Sequence, residues 1–185
     1  MKMIKVLLLM TTIAVFPTAP VAAGDIRFDA IETKHWQVIN DTVMGGVSRS
    51  RFYQQDDDAI FEGTVSLDNN GGFASVRRVI SPEFQNGSII KLIVKGDGRR
   101  YQFRLKTHRL YEGAAYVAEF STERNAWQEV TLSEKDFTAR FRGRTISNAP
   151  TLKFGDAVQV GLLIGDKIEG DFRLQIQAIE VLETI

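Results

Sequence analysis

Beyond residue 48 the chain alternates between apolar and polar side chains. Ala59, Phe61, Val65 and Leu67 fall on one side of an extended run, with Gly63 as a gap. Ile90, Leu92 and Val94 share a side, opposite Lys91 and Lys95, and Tyr101, Phe103 and Leu105 alternate with Gln102, Arg104 and Lys106. Further stripes pass through Tyr116, Ala118 and Phe120, through Val158, Val160, Leu162 and Ile164, and through Phe172, Leu174, Ile176 and Ala178. Such a period of two marks a half-buried β-strand. In the last run the apolar phase slips to Ile179 and Val181, which predicts a β-bulge. No stretch sustains a helical period. Ser133 to Phe137 predicts one short turn, with Ser133 as N-cap and Asp136 near the N-terminal end.

Residues that tolerate positive φ separate the runs. Gln55-Asp56-Asp57-Asp58 predicts a hairpin tip, Gly96-Asp97-Gly98 a hairpin turn, and Asp68 to Gly72 and Gly165-Asp166 two further turns. Residues 138–156 form the longest irregular stretch and are expected to cross one end of the molecule. The pattern as a whole predicts an all-β fold, a two-sheet jelly-roll β-sandwich of about eight to ten strands.

Composition changes this picture at the N-terminus. Lys2 and Lys5 precede a mostly apolar run from Val6 to Phe16, followed by Pro17, Pro20 and the small residues Ala22 and Ala23. This is the layout of a secretory leader cleaved after Ala23, and the run is short of the roughly 20 apolar residues a membrane span needs. The expectation is a periplasmic or otherwise exported protein whose residues 24–185 form a single domain. That part holds 21 basic and 23 acidic residues, a net charge of −2. It has no bulk attraction to nucleic acid. Without cysteine, thiol redox and Cys-ligated zinc are excluded, and the core alone must hold the fold.

The most distinctive stretch is "NDTVMGGVSRS", residues 40–50. Gly45 and Gly46 could offer backbone N–H groups to an anion or a sugar hydroxyl, with side-chain hydrogen bonds from Asn40, Asp41 and Ser48. Alternatively the glycines supply a bend at the entry to the first long strand, Asn40 and Asp41 satisfy loose N–H groups, and Met44 fills a core gap. Glycine pairs more often serve backbone geometry, which favours the second reading. On that reading a β-branched residue at position 46 would resist the positive φ of the bend. A second pair, Gly71-Gly72, precedes Phe73, and Arg77 follows on the Phe73 face; a buried arginine there would need an acid such as Asp41 or Asp97.

Taken in order, Trp36, "NDTVMGGVSRS", "FEGTVSLDNNGGFASVRR", "VKGDGRRYQFRL", "YVAEFSTERNAWQEVTL", "FRGR" and "GDKIEGDFRLQIQAIEV" resemble the CIA30 family, the complex I intermediate-associated protein 30 domain. The resemblance runs from about Trp36 to Val181. It implies a galactose-binding-domain-like β-sandwich. It also implies a role as assembly factor, since mitochondrial relatives serve respiratory complex I. Relatives fused to a dinucleotide-binding domain also exist, but this chain has no strand–G-x-G-x-x-G–helix unit.

Catalytic signatures are thin. His35 and His108 sit in no triad motif, and H-E-x-x-H, G-x-S-x-G and P-loop patterns do not occur. Asp97 with Asp166 could form a hydrolytic carboxylate pair, though turns are the commoner home for Asp. Lys95 to Tyr101 lacks the acids of a calcium loop. The basic run Arg99, Arg100, Arg104, Lys106, His108 and Arg109 reads as a solvated strand face that could still touch an acidic glycan or protein. Trp36 and Trp127 could stack on sugars if exposed, but packing is the better expectation for large aromatics. The sequence thus predicts a non-enzymatic binding module with no cofactor and no metal site. It contacts another protein, or, as the alternative, acts as a carbohydrate-binding module.

Overall fold

Each alternating run becomes a strand, and, apart from Leu67 beyond the end of the fourth strand, the apolar phase faces inward. The computed structural model describes residues 24–81, 84–110 and 112–182; the expected leader, residues 1–23, lies outside them. The strands are β1 (Ile26–Arg27), β2 (Gln37–Asn40), β3 (Arg49–Gln55), β4 (Asp58–Val65), β5 (Ala74–Val79), β6 (Ile89–Lys95), β7 (Arg100–Thr107), β8 (Ala114–Ser121), β9 (Trp127–Leu132), β10 (Thr138–Phe141), β11 (Arg144–Thr145), β12 (Ala157–Ile164) and β13 (Gly170–Leu182). They form two antiparallel sheets. The first has the order β3-β4-β13-β6-β9, with β1 beside β13, and the second has the order β11-β10-β8-β7-β12-β5-β2.

The phase slip in the last strand is a bulge. Ile176 pairs with Val94 and Ala178 with Ile93, so Gln177 is the extra residue, and Ile179 and Val181 turn inward as expected. The hairpin tip at Asp56 carries φ 55° and joins β3 to β4. The short turn is a 3-10 helix over Glu134–Asp136, closed by a reciprocal Ser133–Asp136 capping box. Two expectations need correction. Residues 138–156 are not wholly irregular, because β10 and β11 extend the second sheet along β8. Gly96-Asp97-Gly98 is no hairpin, because β6 and β7 lie in different sheets.

Strand directions gather five loops, both glycine-pair motifs among them, at one end. The chain crosses between sheets at one end through residues 41–48, 66–73, 96–99, 122–126 and 165–169. Between the sheets, Phe61, Tyr101, Phe103, Phe154, Leu162 and Leu174 are fully enclosed. Trp36 joins this core through Phe28 and Phe52, with ring centroids 5.8 and 5.2 Å away, and its indole N–H donates to Glu32 at 2.9 Å. Trp127 departs from the packing expectation. It lies on the outer side of the edge strand β9, 44% exposed, with the Lys95 ammonium 5.8 Å from its ring centroid. Replacing Trp36 by Ala should therefore lower unfolding free energy in urea by about 3–5 kcal/mol, through cavity formation. Trp127→Ala should cost less than about 1 kcal/mol, since it loses only an exposed cation–π contact.

Candidate functional site

The two glycine-pair motifs are one structure. Residues Asp41–Met44 make a 3-10 turn that ends at Gly45, whose φ of 90° suits glycine. This turn tucks the Asp41 carboxylate, fully buried, beneath the crossing end. One carboxylate oxygen accepts the Ser48 amide at 2.9 Å. The other accepts the Ser48 hydroxyl at 2.5 Å and the amides of Gly72 and Phe73 at 2.7 and 3.2 Å. The backbone doubles the link, since the Asp41 amide donates to the Phe73 carbonyl at 3.3 Å. The Ser48 hydroxyl in turn accepts the Ser66 amide at 3.0 Å, and Asn40 accepts the Ser50 hydroxyl at 2.6 Å.

Gly46 is needed for room rather than for positive φ, which corrects the sequence argument. A Cβ there would lie 2.4 Å from the Asp41 carboxyl carbon, and one on Gly71 would lie 2.6 Å from a carboxylate oxygen. The amides of Gly45 and Gly46 donate to the Thr42 and Asp41 carbonyls, so the glycine pair has no N–H group left for an anion. Burial opposes ionisation of Asp41. The Ser48 hydroxyl and the amides of Gly72, Phe73 and Ser48 outweigh it and hold the carboxyl below the usual range.

A second clamp ties the remaining crossings. Arg99 grips Asp166 with two hydrogen bonds, 2.6 and 3.1 Å, and donates to the carbonyls of Ile168, Gly170 and Asp171. Asp97 accepts the Arg99 amide at 3.0 Å, the Tyr101 hydroxyl at 3.1 Å and the Arg173 amide at 2.8 Å. Burial first, and Asp97 second, push the Tyr101 hydroxyl far above its ordinary pKa. Burial also works against ionised Asp166, but Arg99 prevails and keeps that carboxyl low. Both members of the notional hydrolytic pair, Asp97 and Asp166, are thus engaged in holding loops. Arg77 pairs with neither Asp41 nor Asp97, because it lies on the outer side of the second sheet, between Gly161 and Gln37, away from both clamps.

Two open surfaces lie at or beside the crossing end. On the outer side of the first sheet a groove of about 640 Å³ is lined by Arg49, Arg51, Glu62, Asp97, Arg124 and Arg173, among others. Its central acid is occupied, since Glu62 pairs with Arg51 and Arg173 and accepts the Tyr53 hydroxyl at 3.1 Å. The Tyr53 ring lies under the Arg51 guanidinium, 4.9 Å from its centroid. The other surface is the crossing end itself, where Val43, Met44, Val47 and Leu67 are 70, 55, 44 and 43% exposed. Met44 does not fill a core gap, because Asp41 and its donors occupy the space beneath the loop. Leu67, expected on the same side as Ala59, Phe61 and Val65, lies past the end of β4 and is exposed instead. Val43 and Val47 escaped the sequence reading; the available signal was apolar side chains inside a segment that is otherwise turn chemistry. Among the described residues no group of three or more His, Asp or Glu could hold a metal ion.

A two-sheet sandwich of this kind, whose charged motif residues serve its loops, falls in the class of carbohydrate-binding-module-like β-sandwiches. The likeness is one of fold. A family 11 carbohydrate-binding module of the Clostridium thermocellum cellulase Lic26A-Cel5E superposes with a TM-score of 0.58 at 15% identity, over 88% of this chain and 98% of that one. The same kind of module in complex with a β-1,3-1,4-mixed-linked tetrasaccharide gives 0.57 at 14% identity, over 86% and 96%. The agarase AgWH50C gives 0.54 at 10% identity, over 82% of this chain and 24% of the enzyme. The sequence places the chain more narrowly. Residues 26–176 match the model of complex I intermediate-associated protein 30, and the chain belongs to that CIA30 family. A "Probable complex I intermediate-associated protein 30, mitochondrial" from Caenorhabditis elegans is 26% identical over 143 residues, 66% of this chain. The matched region spans 42% of that relative's length.

The Asp41 anchor predicts a specific acid response. Its folded pKa lies below the ordinary value of about 3.9, so its contribution is complete above that pH and is lost as pH falls through the folded value. Asp41→Asn should destabilise the protein at pH 7 by about 2–4 kcal/mol and show a shallower loss of stability below about pH 4. Equal acid slopes in the two proteins would contradict the assignment. Gly46→Val should lower the melting temperature through collision with Asp41, and an unchanged value would show that the loop has slack.

Proposed function

We propose that the protein is an exported, non-catalytic binding module that docks onto another protein, as an accessory or assembly factor. The observation that carries this reading is the apolar display at the crossing end. Exposed side chains are ordinary when scattered, but Val43, Met44, Val47 and Leu67 are brought together by one set of bonds. Val47 and Leu67 each adjoin a member of the Ser48–Ser66 hydrogen bond, and Asn69 donates to the Gly45 carbonyl at 3.2 Å. A patch held this rigidly loses little conformational entropy when a partner covers it. Membership of the CIA30 family and the assembly-related name of the nematode relative agree with a protein partner. A sugar platform has less support: the Tyr53 ring is covered by Arg51 and Trp127 is approached by Lys95, so neither offers a clear stacking face. The carboxylates nearest to a catalytic arrangement are consumed by the fold.

The test is affinity capture with crosslinking from cells producing either the wild type or the Val43→Ser, Met44→Gln, Val47→Ser, Leu67→Gln quadruple variant. The wild type should recover one protein in stoichiometric amount, and the variant, with an unchanged melting temperature, should lose it. Capture of the same protein by both would place the contact elsewhere. Turnover of a substrate by the purified protein would overturn the non-catalytic assignment.

A further inference from the structure

The outer side of the second sheet carries a row of cations with too few anions. Across the strands, Thr138 lies beside Val117, Val117 beside Arg104, Arg104 beside Gly161, Gly161 beside Arg77 and Arg77 beside Gln37. Phe103, Leu105 and Val76 point into the core, so Arg104 and Arg77 point out. Two residues along β7 from Arg104 is Lys106, and Arg140 occupies β10. All four cations are half-buried. They lie over small or enclosed neighbours: Ala115, Val117, Gly161 and Leu163 are buried although they face outward. Gly161 makes the room, since a Cβ there would sit 3.3 Å from the Arg77 Cβ and 2.8 Å from the Val76 carbonyl oxygen.

The charge balance of this face is one-sided. Among the described residues on these strands its acid is Glu119, already bonded to Arg140 at 2.7 Å. Glu32, near the β2 edge, is taken by Arg78 at 2.7 Å. Arg77, Arg104 and Lys106 make no hydrogen bond or ion pair among the described residues, and the buried Nε of Arg77 has no acceptor. Burial first, and the neighbouring Arg140 second, lower the Arg104 pKa. A desolvated guanidinium without a counter-charge is costly, and its usual remedy is an anion. Beside Arg77 the surface dips into a depression of about 330 Å³ lined by His35, Gln37, Arg77, Gln159 and Ser81, among others.

We propose that this face binds an extended acidic polysaccharide, one bearing carboxylate or sulfate-ester groups, laid across the strands from β5 towards β10. Adjacent strands are about 4.8 Å apart, so Arg77 and Arg104 sit about 10 Å apart and the cationic track extends about 19 Å. That is the reach of several sugar units rather than of one small anion. Gln37, Gln102 and Gln159 stand among the cations, and each amide can donate to and accept from hydroxyl groups. A protein partner fits less well, because the apolar anchors typical of an interface centre are absent from the middle of the face, where Ala115, Val117 and Leu163 are covered. This site is distinct from the crossing end and does not depend on the protein-docking proposal.

The experiment is isothermal titration of the purified protein with polygalacturonate and with dextran sulfate. Neutral dextran and poly-glutamate serve as controls. At least one of the two acidic polysaccharides should bind, with affinity falling as salt is raised, and which one binds identifies the carboxylate or the sulfate as the recognised group. The double variant Arg77→Gln, Arg104→Gln should weaken binding by at least about tenfold, roughly 1.4 kcal/mol. It should melt no lower than the wild type, because it gives up no internal partner. Arg49→Gln with Arg124→Gln, on the opposite face, should leave affinity within about twofold. Absence of binding to both polysaccharides, equal losses in the two double variants, or tighter binding of poly-glutamate would each overturn the proposal.

Discussion

A buried carboxylate that accepts four hydrogen bonds, from the Ser48 amide and hydroxyl and the Gly72 and Phe73 amides, organises the end of the sandwich on which the motifs converge. Two sheets joined by several crossings face a difficulty there. Each crossing exposes backbone N–H and C=O groups that no ladder satisfies. A desolvated charge is normally a burden, yet enough donors around it reverse the balance, and the burden becomes a fixed point. Asp41 plays this part with an anion. Arg99, in the second clamp, plays it with a cation that reaches Asp166 and three carbonyl groups. The two devices have opposite sign and the same consequence: each ties segments of different crossings to a single charged side chain.

This division of labour separates folding from function. The residues that look most chemical, Asp41, Asp97, Arg99 and Asp166, spend their hydrogen bonds on holding the chain to itself. What they leave for other molecules is surface: apolar at the crossing end, and basic across the outer side of the second sheet. The outer groove of the first sheet is intermediate, since Glu62 already gathers Arg51 and Arg173. The chain belongs to the CIA30 family, and its likeness to carbohydrate-binding modules is one of fold. The fold itself is compatible with many ligands and selects none. The selection has to come from the side chains that the internal clamps do not consume.

The strands were legible because each has one wet and one dry side, and period-two patterning reports that difference directly. Even the bulge at Gln177 was visible, as the shift from Ile176 and Ala178 to Ile179 and Val181. The roles of the glycines were harder to read. Composition alone cannot distinguish a glycine that needs positive φ, such as Gly45, from one that makes room, such as Gly46, because the neighbour it admits is a distant side chain or a folded-back carboxylate. Sheet membership was equally hidden: Gly96-Asp97-Gly98 has hairpin chemistry yet passes between layers. The unpaired state of Arg77 and Arg104 was beyond sequence, since it depends on which acids the strand order brings to that face. Met44 was misplaced for a related reason, because Asp41 already filled the space it was expected to occupy.

The central claim is that Asp41 locks the crossings, and amide hydrogen exchange measures this most directly. The amides of Ser48, Gly72 and Phe73 lie in loops, outside any sheet ladder, and loop amides without partners exchange within the early, local-opening regime. If the carboxylate holds them, they should exchange as slowly as amides of the central strands β12 and β13, opening only with global unfolding. Rapid exchange of these three amides in an otherwise protected protein would contradict the account.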